Sequence, residues 1–270
     1  MGIRILYQDP VPRQTPDYVS DPEVIWDTLK RHAKLVARPS TEITLSHLER
    51  RVKFETLIYF ETLNNILIAN KIIDAEKDGF DGAVIDCFND SGLREARQAV
   101  AIPVTSVAES SYILAQMLGR KFAVVAMGPR IIPLAEFNIR AYGIEDRFIK
   151  NKPIRSMDLD YESLIRYKND DDERLIVEFE RVANSCIDDG ADVIIPGCGY
   201  LPPFLTLKGY REVGNTGVPV IDGNAAAIKM AEALIDLRAT IDLKKSTHIT
   251  SFYRNAPSEV LTRIRGEFGF

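Results

Sequence analysis

The chain carries three cysteines, and two of them stand in matched surroundings. "GFDGAVIDCFND" runs from Gly79 to Asp90 and "GADVIIPGCGYLPP" from Gly190 to Pro203. In each, an Asp lies two places after the Gly, and an apolar run leads to a Cys eight places after it, Cys87 and Cys198. A thiol ionises near ~8.5, close enough to neutrality to serve as acid or base. A thiolate and a thiol on opposite faces of one carbon suit racemisation: one removes a proton, and the other returns a proton to the far side. The anion between these steps needs hydrogen-bond donors at its oxygens. Backbone N–H groups after Cys87 and the close approach that Gly199 permits fit that need. Asp90 or Ser91 reads as the N-cap of a helix after Cys87. Cys186, inside the helical pattern "ERVANSCIDDG", has no counterpart and reads as core packing.

Both motifs need strands to carry them. Apolar runs alternate with helical patterns, which predicts βαβ units and parallel sheets. Ile3 to Tyr7, Ile43 to Leu45, Ala83 to Asp86, Phe122 to Ala126 and Val193 to Pro196 read as strands. Glu49 to Lys77 reads as one long helix with Val52, Leu57, Phe60, Leu63, Leu67 and Ala75 inward, ended by Gly79. Pro133 to Tyr142 and Leu175 to Asp188 read as further helices. After each Cys comes a short Pro-Val strand, "IPVTSVAES" and "GVPVIDGNA", and then a helix, Ser110 to Leu118 and Ala225 to Leu237. The order thus occurs twice, an internal duplication. Two similar parallel-sheet α/β domains related by pseudo-symmetry are expected, residues 1–107 with 222–270 and residues 108–221. In open α/β sheets ligands bind beyond the carboxyl ends of the strands, so facing halves place both thiols in one interdomain cleft. Gln8 and Asp9, Ser46 and His47, and Met127 and Gly128 follow strands and are candidates to line it, His47 as a surface residue rather than a base. So are Phe88 and Asn89 after the first Cys, and Gly199 and Tyr200 after the second, Tyr200 either closing over a substrate or packing on Pro202.

Composition narrows the function. With 270 residues, 46% hydrophobic and 27% charged, this is an ordinary globular chain. A net charge of −5 without a dense basic run argues against nucleic acid. No apolar run reaches the length of a membrane span, and "MGIRILYQDP" lacks the apolar region of a signal peptide. A cytoplasmic protein is expected. The scattered His32, His47 and His248 give no metal signature, and no lysine motif points to pyridoxal phosphate. The expectation is a small-molecule substrate, no cofactor and no metal, in a homo-oligomer whose tail from "STHITSFYRN" to Phe270 docks on the body or on a neighbour.

These blocks resemble the aspartate/glutamate/hydantoin racemase superfamily over nearly the whole chain, and within it the hydantoin racemase branch. "GFDGAVIDCFNDSGL" is similar to that branch's first cysteine motif; "LGRKFAVV", "DDGADVIIPGCG" and "GVPVIDGNAAAIKMAEAL" are similar to its later blocks. The resemblance implies two α/β domains, a cofactor-independent mechanism and Cys87 and Cys198 as the catalytic pair, with Cys87 acting on the D- and Cys198 on the L-enantiomer. Amino-acid racemases of the superfamily place Asn-Thr and Thr-His after their cysteines, where this chain has Phe88-Asn89 and Gly199-Tyr200, which argues against free aspartate or glutamate. The Asn-Pro-Asn motif of hydantoin racemases is replaced by Tyr7-Gln8-Asp9-Pro10, and "GYLPPF" replaces a small-residue pattern. Arylmalonate decarboxylases need only the second cysteine, so Cys87 counts against that reaction. Three readings stand at this point: racemisation beside a carbonyl, cis-trans isomerisation of an unsaturated dicarboxylate through a covalent Cys, and non-catalytic binding in the same cleft.

Overall fold

The computed structural model describes residues 2–13, 19–50 and 56–270. Its first half builds β1 (Ile3–Asp9), α1 (Pro22–Val36), β2 (Thr41–His47), α2 (Ile58–Lys77), β3 (Gly82–Ile85), α3 (Leu93–Ala99), β4 (Val104–Ser106) and α4 (Val107–Leu118). Then come β5 (Phe122–Ala126), α5 (Ile132–Tyr142), β6 (Ile154–Ser156), α6 (Glu162–Asn169), α7 (Arg174–Asp188), β7 (Val193–Gly197) and α8 (Leu201–Leu207). The chain ends with α9 (Gly223–Ile241) and α10 (Ser258–Glu267). Every strand pair is parallel, in two sheets ordered β2-β1-β3-β4 and β6-β5-β7. The fold is therefore parallel α/β with two sheets. Among the described residues no helix is long and apolar enough to cross a membrane.

The two Gly-x-Asp motifs do the same work in both sheets. Gly79 and Gly190 end α2 and α7 at positive φ, +78° and +94°. Phe80 N–H then reaches back to the Ala75 carbonyl and Ala191 N–H to that of Cys186, each at 3.0 Å, which satisfies carbonyls that a helix end leaves open. Asp81 accepts from Arg4 N–H at 2.8 Å, and Asp192 from Lys121 N–H at 2.7 Å, so each carboxylate holds the start of the neighbouring strand. The prolines also match: Ala83 N–H donates to the Pro103 carbonyl at 2.9 Å and Ile194 N–H to that of Pro219 at 3.0 Å. Only the first Pro-Val segment extends into a strand, β4; the second makes isolated bridges at Pro219 and Val220.

Two expectations need correction. Glu49 and Arg50 are not helical, and α2 begins only at Ile58; Val52 lies outside the described residues. The inward face of α2 is also shifted, for Leu57 and Leu63 are exposed while Glu61, Asn64, Ile68 and Ile72 are buried. Polar residues inside the first turns broke the apolar period. The cap after Cys87 is the other correction. Gly92, at φ +73°, is the N-cap of α3, and Asp90 instead caps α4. Its Oδ1 accepts from Ala108 N–H and its Oδ2 from Glu109 N–H, both at 3.0 Å, while the Tyr142 hydroxyl donates to Oδ2 at 2.6 Å.

The halves share their cores. Ile25, Trp26 and Leu29 of α1 pack with Met127, Phe179, Cys198 and Tyr200. Phe88, from the first cysteine loop, packs with Tyr112, Phe122, Val124 and Ile195. Cys186 is buried in the first of these cores, as its place in the helix implies. Leu6, Ile68, Ile72, Ile85 and Leu93 fill the outer side of the first sheet, and Ile5, Tyr7, Val84, Ala227, Ile228 and Ala231 its inner side under α9. The tail returns to the body: α10 places Arg265 on Asn70 and Asp74 of α2, and Lys245 donates to the carbonyls of Arg97 and Val100.

Asp90→Ala leaves two N–H groups and a phenol without their acceptor. We expect it to lower unfolding free energy by about 2–3 kcal/mol, read from urea titration at pH 7.5, with Asp90→Asn losing roughly half as much because its amide oxygen still accepts.

Candidate active site

The carboxyl ends of the strands align by register. Ser46, Gln8, Ile85 and Ser106 form one row across the first sheet, and Ser156, Ala126 and Gly197 across the second. The next residues outward include His47, Asp9 and Asp86 on one side and Met127 and Cys198 on the other. Cys87 and Cys198 both stand just past strand ends.

The two cysteine loops touch. A Cβ on Gly199 would strike Asp86, meeting its carboxyl Oδ1 and its carbonyl oxygen, the latter at 3.0 Å. Glycine is required by that backbone approach, between the residue after one Cys and the residue before the other. Asn224, fully buried at the start of α9, ties the contact together. Its Nδ2 donates to Asp86 Oδ1 at 2.8 Å and to the Gly199 carbonyl at 2.8 Å, and lies 2.5 Å from the Tyr7 hydroxyl. Two amide hydrogens among three acceptors imply one shared bond. Asp222 starts α9 by accepting from Ala225 N–H, and also binds buried His32 of α1 and Thr206 of α8.

Beneath this bridge lies a second carboxyl. Asp9 Oδ1 accepts from Val11 N–H at 2.6 Å and from the Tyr200 hydroxyl at 3.1 Å. Burial raises the Asp9 carboxyl to about 8, against the pull of these donors. Burial and the neighbouring Asp9 charge raise Asp86 well above the usual carboxylate range. The Oδ2 atoms of both acids lack another partner. Keeping their protons avoids two buried like charges.

The thiols sit in unlike surroundings. Buried Cys198 receives Tyr200 N–H at 3.3 Å, and the Tyr161 hydroxyl stands 3.9 Å away. Burial raises its thiol to about 11, and the N–H groups of Leu201 and Tyr200 counter that rise. Cys87 is partly buried, with its sulfur 3.2 Å from Ser91 Oγ, which donates to Glu61 at 2.6 Å. Burial, followed by the charge of Glu61, raises this thiol further than its counterpart.

The other sequence candidates divide. Gln8 is buried, its amide donating to the Asp9 carbonyl at 2.7 Å. Ser46 and Gly128 are half-buried at the carboxyl edge, and space is open beside Gly128. The Asn89 carbonyl accepts from Asn138 at 2.7 Å. Phe88 and Met127 turn into the shared cores. Tyr200 is buried against Trp26 and Tyr161, with its hydroxyl committed to Asp9. His47 is not a surface residue: it is half-buried on the Trp26 ring, centroids 4.4 Å apart, and burial lowers its pKa. Sequence reading missed Asn224, Asp86, Glu61 and Ser91 as partners of the site. The polar residues on the inward face of α2 were the readable signal for Glu61. Among the described residues no group of His, Cys, Asp and Glu forms a metal-binding cluster.

Gly199→Ala should force the two loops apart and destabilise the fold by about 1–3 kcal/mol in chemical denaturation. The buried acids set a pH dependence. Unfolded carboxyls titrate near ~3.9, whereas Asp9 and Asp86 hold their proton to higher pH. Their contribution is complete below the unfolded value and is lost as pH rises toward about 8. Between pH 5 and 8.5, Asp9→Asn should therefore lose less stability than the wild type, by at least about 1 kcal/mol; parallel urea midpoints across that range would contradict this.

Comparison with known proteins places the chain. The family model "Asp/Glu/Hydantoin racemase" matches residues 25–231. A hydantoin racemase of Pseudomonas sp. (strain NS671) is 33% identical over 214 residues, 77% of this chain and 80% of that protein. A hydantoin racemase of Rhizobium meliloti is 35% identical over 167 residues, 61% of this chain and 64% of that protein. The solved allantoin racemase from Klebsiella pneumoniae superposes with a TM-score of 0.76 at 25% identity, covering 95% of each chain. The match to the family spans most of the chain, across both cysteine motifs and the helix that carries Asn224: the chain belongs to the Asp/Glu/hydantoin racemase family and is a racemase.

Proposed function

We propose that this racemase works without a cofactor, using Cys87 and Cys198 to invert a carbon beside a carbonyl in a 5-substituted hydantoin or a related cyclic amide. The observation that carries this reading is the contact of Asp86 with Gly199, which brings the loops of the two strand-end cysteines against each other. In the reading, residues 1–107 with 222–270 form one domain and 108–221 the other, with the substrate between them. The names of the relatives support the substrate class, since allantoin is a hydantoin ring with a ureido substituent.

The surroundings of each thiol suggest its resting role. Of the two thiols, Cys198 is the less raised, so it removes the proton in one direction. The anionic partner behind Cys87 favours its thiol, so it returns a proton on the opposite face. The ring carbonyl beside the reacting carbon takes up the charge as an enolate, and the loop N–H groups after the cysteines are suited to meet it. Reversal exchanges the roles. Ser46 and Gly128 are the edge positions we assign to substrate contact, with Gln8, Asp9 and Tyr200 shaping the floor beneath it.

Replacing either cysteine by alanine should abolish racemisation while leaving one-face exchange. Cys198→Ala should incorporate deuterium from heavy water only into the D-hydantoin, and Cys87→Ala only into the L-form, as NMR of each pure enantiomer would report. Exchanged preferences would overturn the assignment of faces, and full racemisation by either variant would overturn the two-base mechanism.

A further inference from the structure

One buried polar chain lies behind the site. Ser91, 1% exposed, has a single hydroxyl hydrogen, which it gives to Glu61 Oε1 at 2.6 Å. Toward Cys87 Sγ, 3.2 Å away, Ser91 Oγ is therefore an acceptor, and the sulfur holds its own hydrogen. The charged group acting on this sulfur from α2 is Glu61; its own loop supplies the Ser91 hydroxyl and the N–H groups of Asn89 and Ser91. Glu61 also lines a cavity of about 110 Å³ between α2, α3 and α5, together with Asn65, Asn89, Asp90, Arg94 and Glu95. That space is polar and large enough for several water molecules. The cavity lining includes neither cysteine.

We propose that Ser91 and Glu61 form a proton relay that recharges Cys87 from this cavity, behind the substrate cleft. The inference rests on the two-cysteine reading of the proposed function. Racemisation in one direction leaves Cys198 protonated and Cys87 as thiolate, so the next turnover in that direction requires a proton at Cys87. In the relay, the Glu61 carboxylate first takes a proton from a hydronium ion in the cavity water; Ser91 then gives its hydroxyl proton to the Cys87 sulfur and takes one from the resulting Glu61 carboxylic acid. Glu61 is left as the carboxylate that accepts from Ser91 at rest. The reverse sequence discharges the thiol. One S–H bond forms as one carboxylic O–H bond breaks, the hydroxyl is regenerated, and nothing is oxidised or reduced. Glu61 is thus a positioning and relay residue rather than one that touches substrate.

Two measurements test the relay. In a Cys186→Ser, Cys198→Ala background, the rate of Cys87 alkylation by iodoacetamide is followed against pH by mass spectrometry, with no substrate present. Glu61→Gln removes the anion, and its amide N–H₂ donates to Ser91 and so turns the Ser91 hydrogen to the sulfur; alkylation at pH 8 should quicken about tenfold. Adding Ser91→Ala should shrink that effect, because the connection is cut. No change with Glu61→Gln, or an undiminished effect without Ser91, overturns the relay. The second measurement is steady-state racemisation of a 5-substituted hydantoin at pH 7. Recharging comes after product release, so in Glu61→Gln kcat should fall about tenfold and by more than kcat/KM, and Glu61→Asp should recover part of it. Equal falls in both constants overturn the relay. A wild-type protein that does not racemise sinks the substrate reading alone, and the alkylation result then decides the relay.

Discussion

The side-chain amide of Asn224 is the constraint on which the site depends. It donates to the carboxyl that precedes Cys87 and to the carbonyl of the residue after Cys198. Those groups belong to opposite halves of the duplication, and they can meet because residue 199 has no side chain. A buried amide without its acceptors would cost about 1–3 kcal/mol, so the loops are held at one spacing. Asp9 completes the seam, connecting Tyr200 from the second loop to the end of β1.

The duplication gives matched frames but not matched electrostatics. The glycine helix stops, the aspartates that hold the adjoining strand and the proline carbonyls recur bond for bond. The segments after the two cysteines diverge. The second Cys leads directly into α8, where Pro202 and Pro203 fit the first turn without losing an intrahelical bond. The first leads into a loop pinned by Asp90 to α4, by Asn138 to α5 and by Ser91 to α2. Both thiols receive N–H donors of their own loops, while the Glu61 charge acts on Cys87 from α2.

Much of the frame was legible in the residues. The paired Gly-x-Asp-Cys spacing predicts two parallel-sheet units with thiols at strand ends, and β5, α5 and α7 fall within a residue or so of where periodicity places them. The start of α2 was not legible, because Glu61 and Asn64 occupy buried positions that an apolar period assigns to hydrophobic residues. Asp90 next to a helix start looks like a local cap; that it caps α4, 18 residues onward, depends on tertiary folding. Phe88 beside a catalytic-looking Cys reads as a substrate contact, yet the shared core claims it. Tyr200 and Asp9 lie 191 positions apart, and no local pattern announces that bond.

The return of α9 to the first sheet has a consequence for synthesis. Ile3, Ile5 and Tyr7 are made well before Ala227, Ile228, Ala231 and Ile235 of α9, which cover them together with Ala33 of α1. The inner face of β1 thus waits for α9 to complete its cover, and the Asn224 bridge waits with it. Residues 122–197 can assemble their own sheet earlier, but α1 and Phe88 cannot settle into the shared cores until both halves exist. A nascent chain of this design leaves an apolar strand partly uncovered until α9 is made, the circumstance in which holding chaperones protect newly made proteins from association. The geometry that joins the thiols is therefore among the last to form.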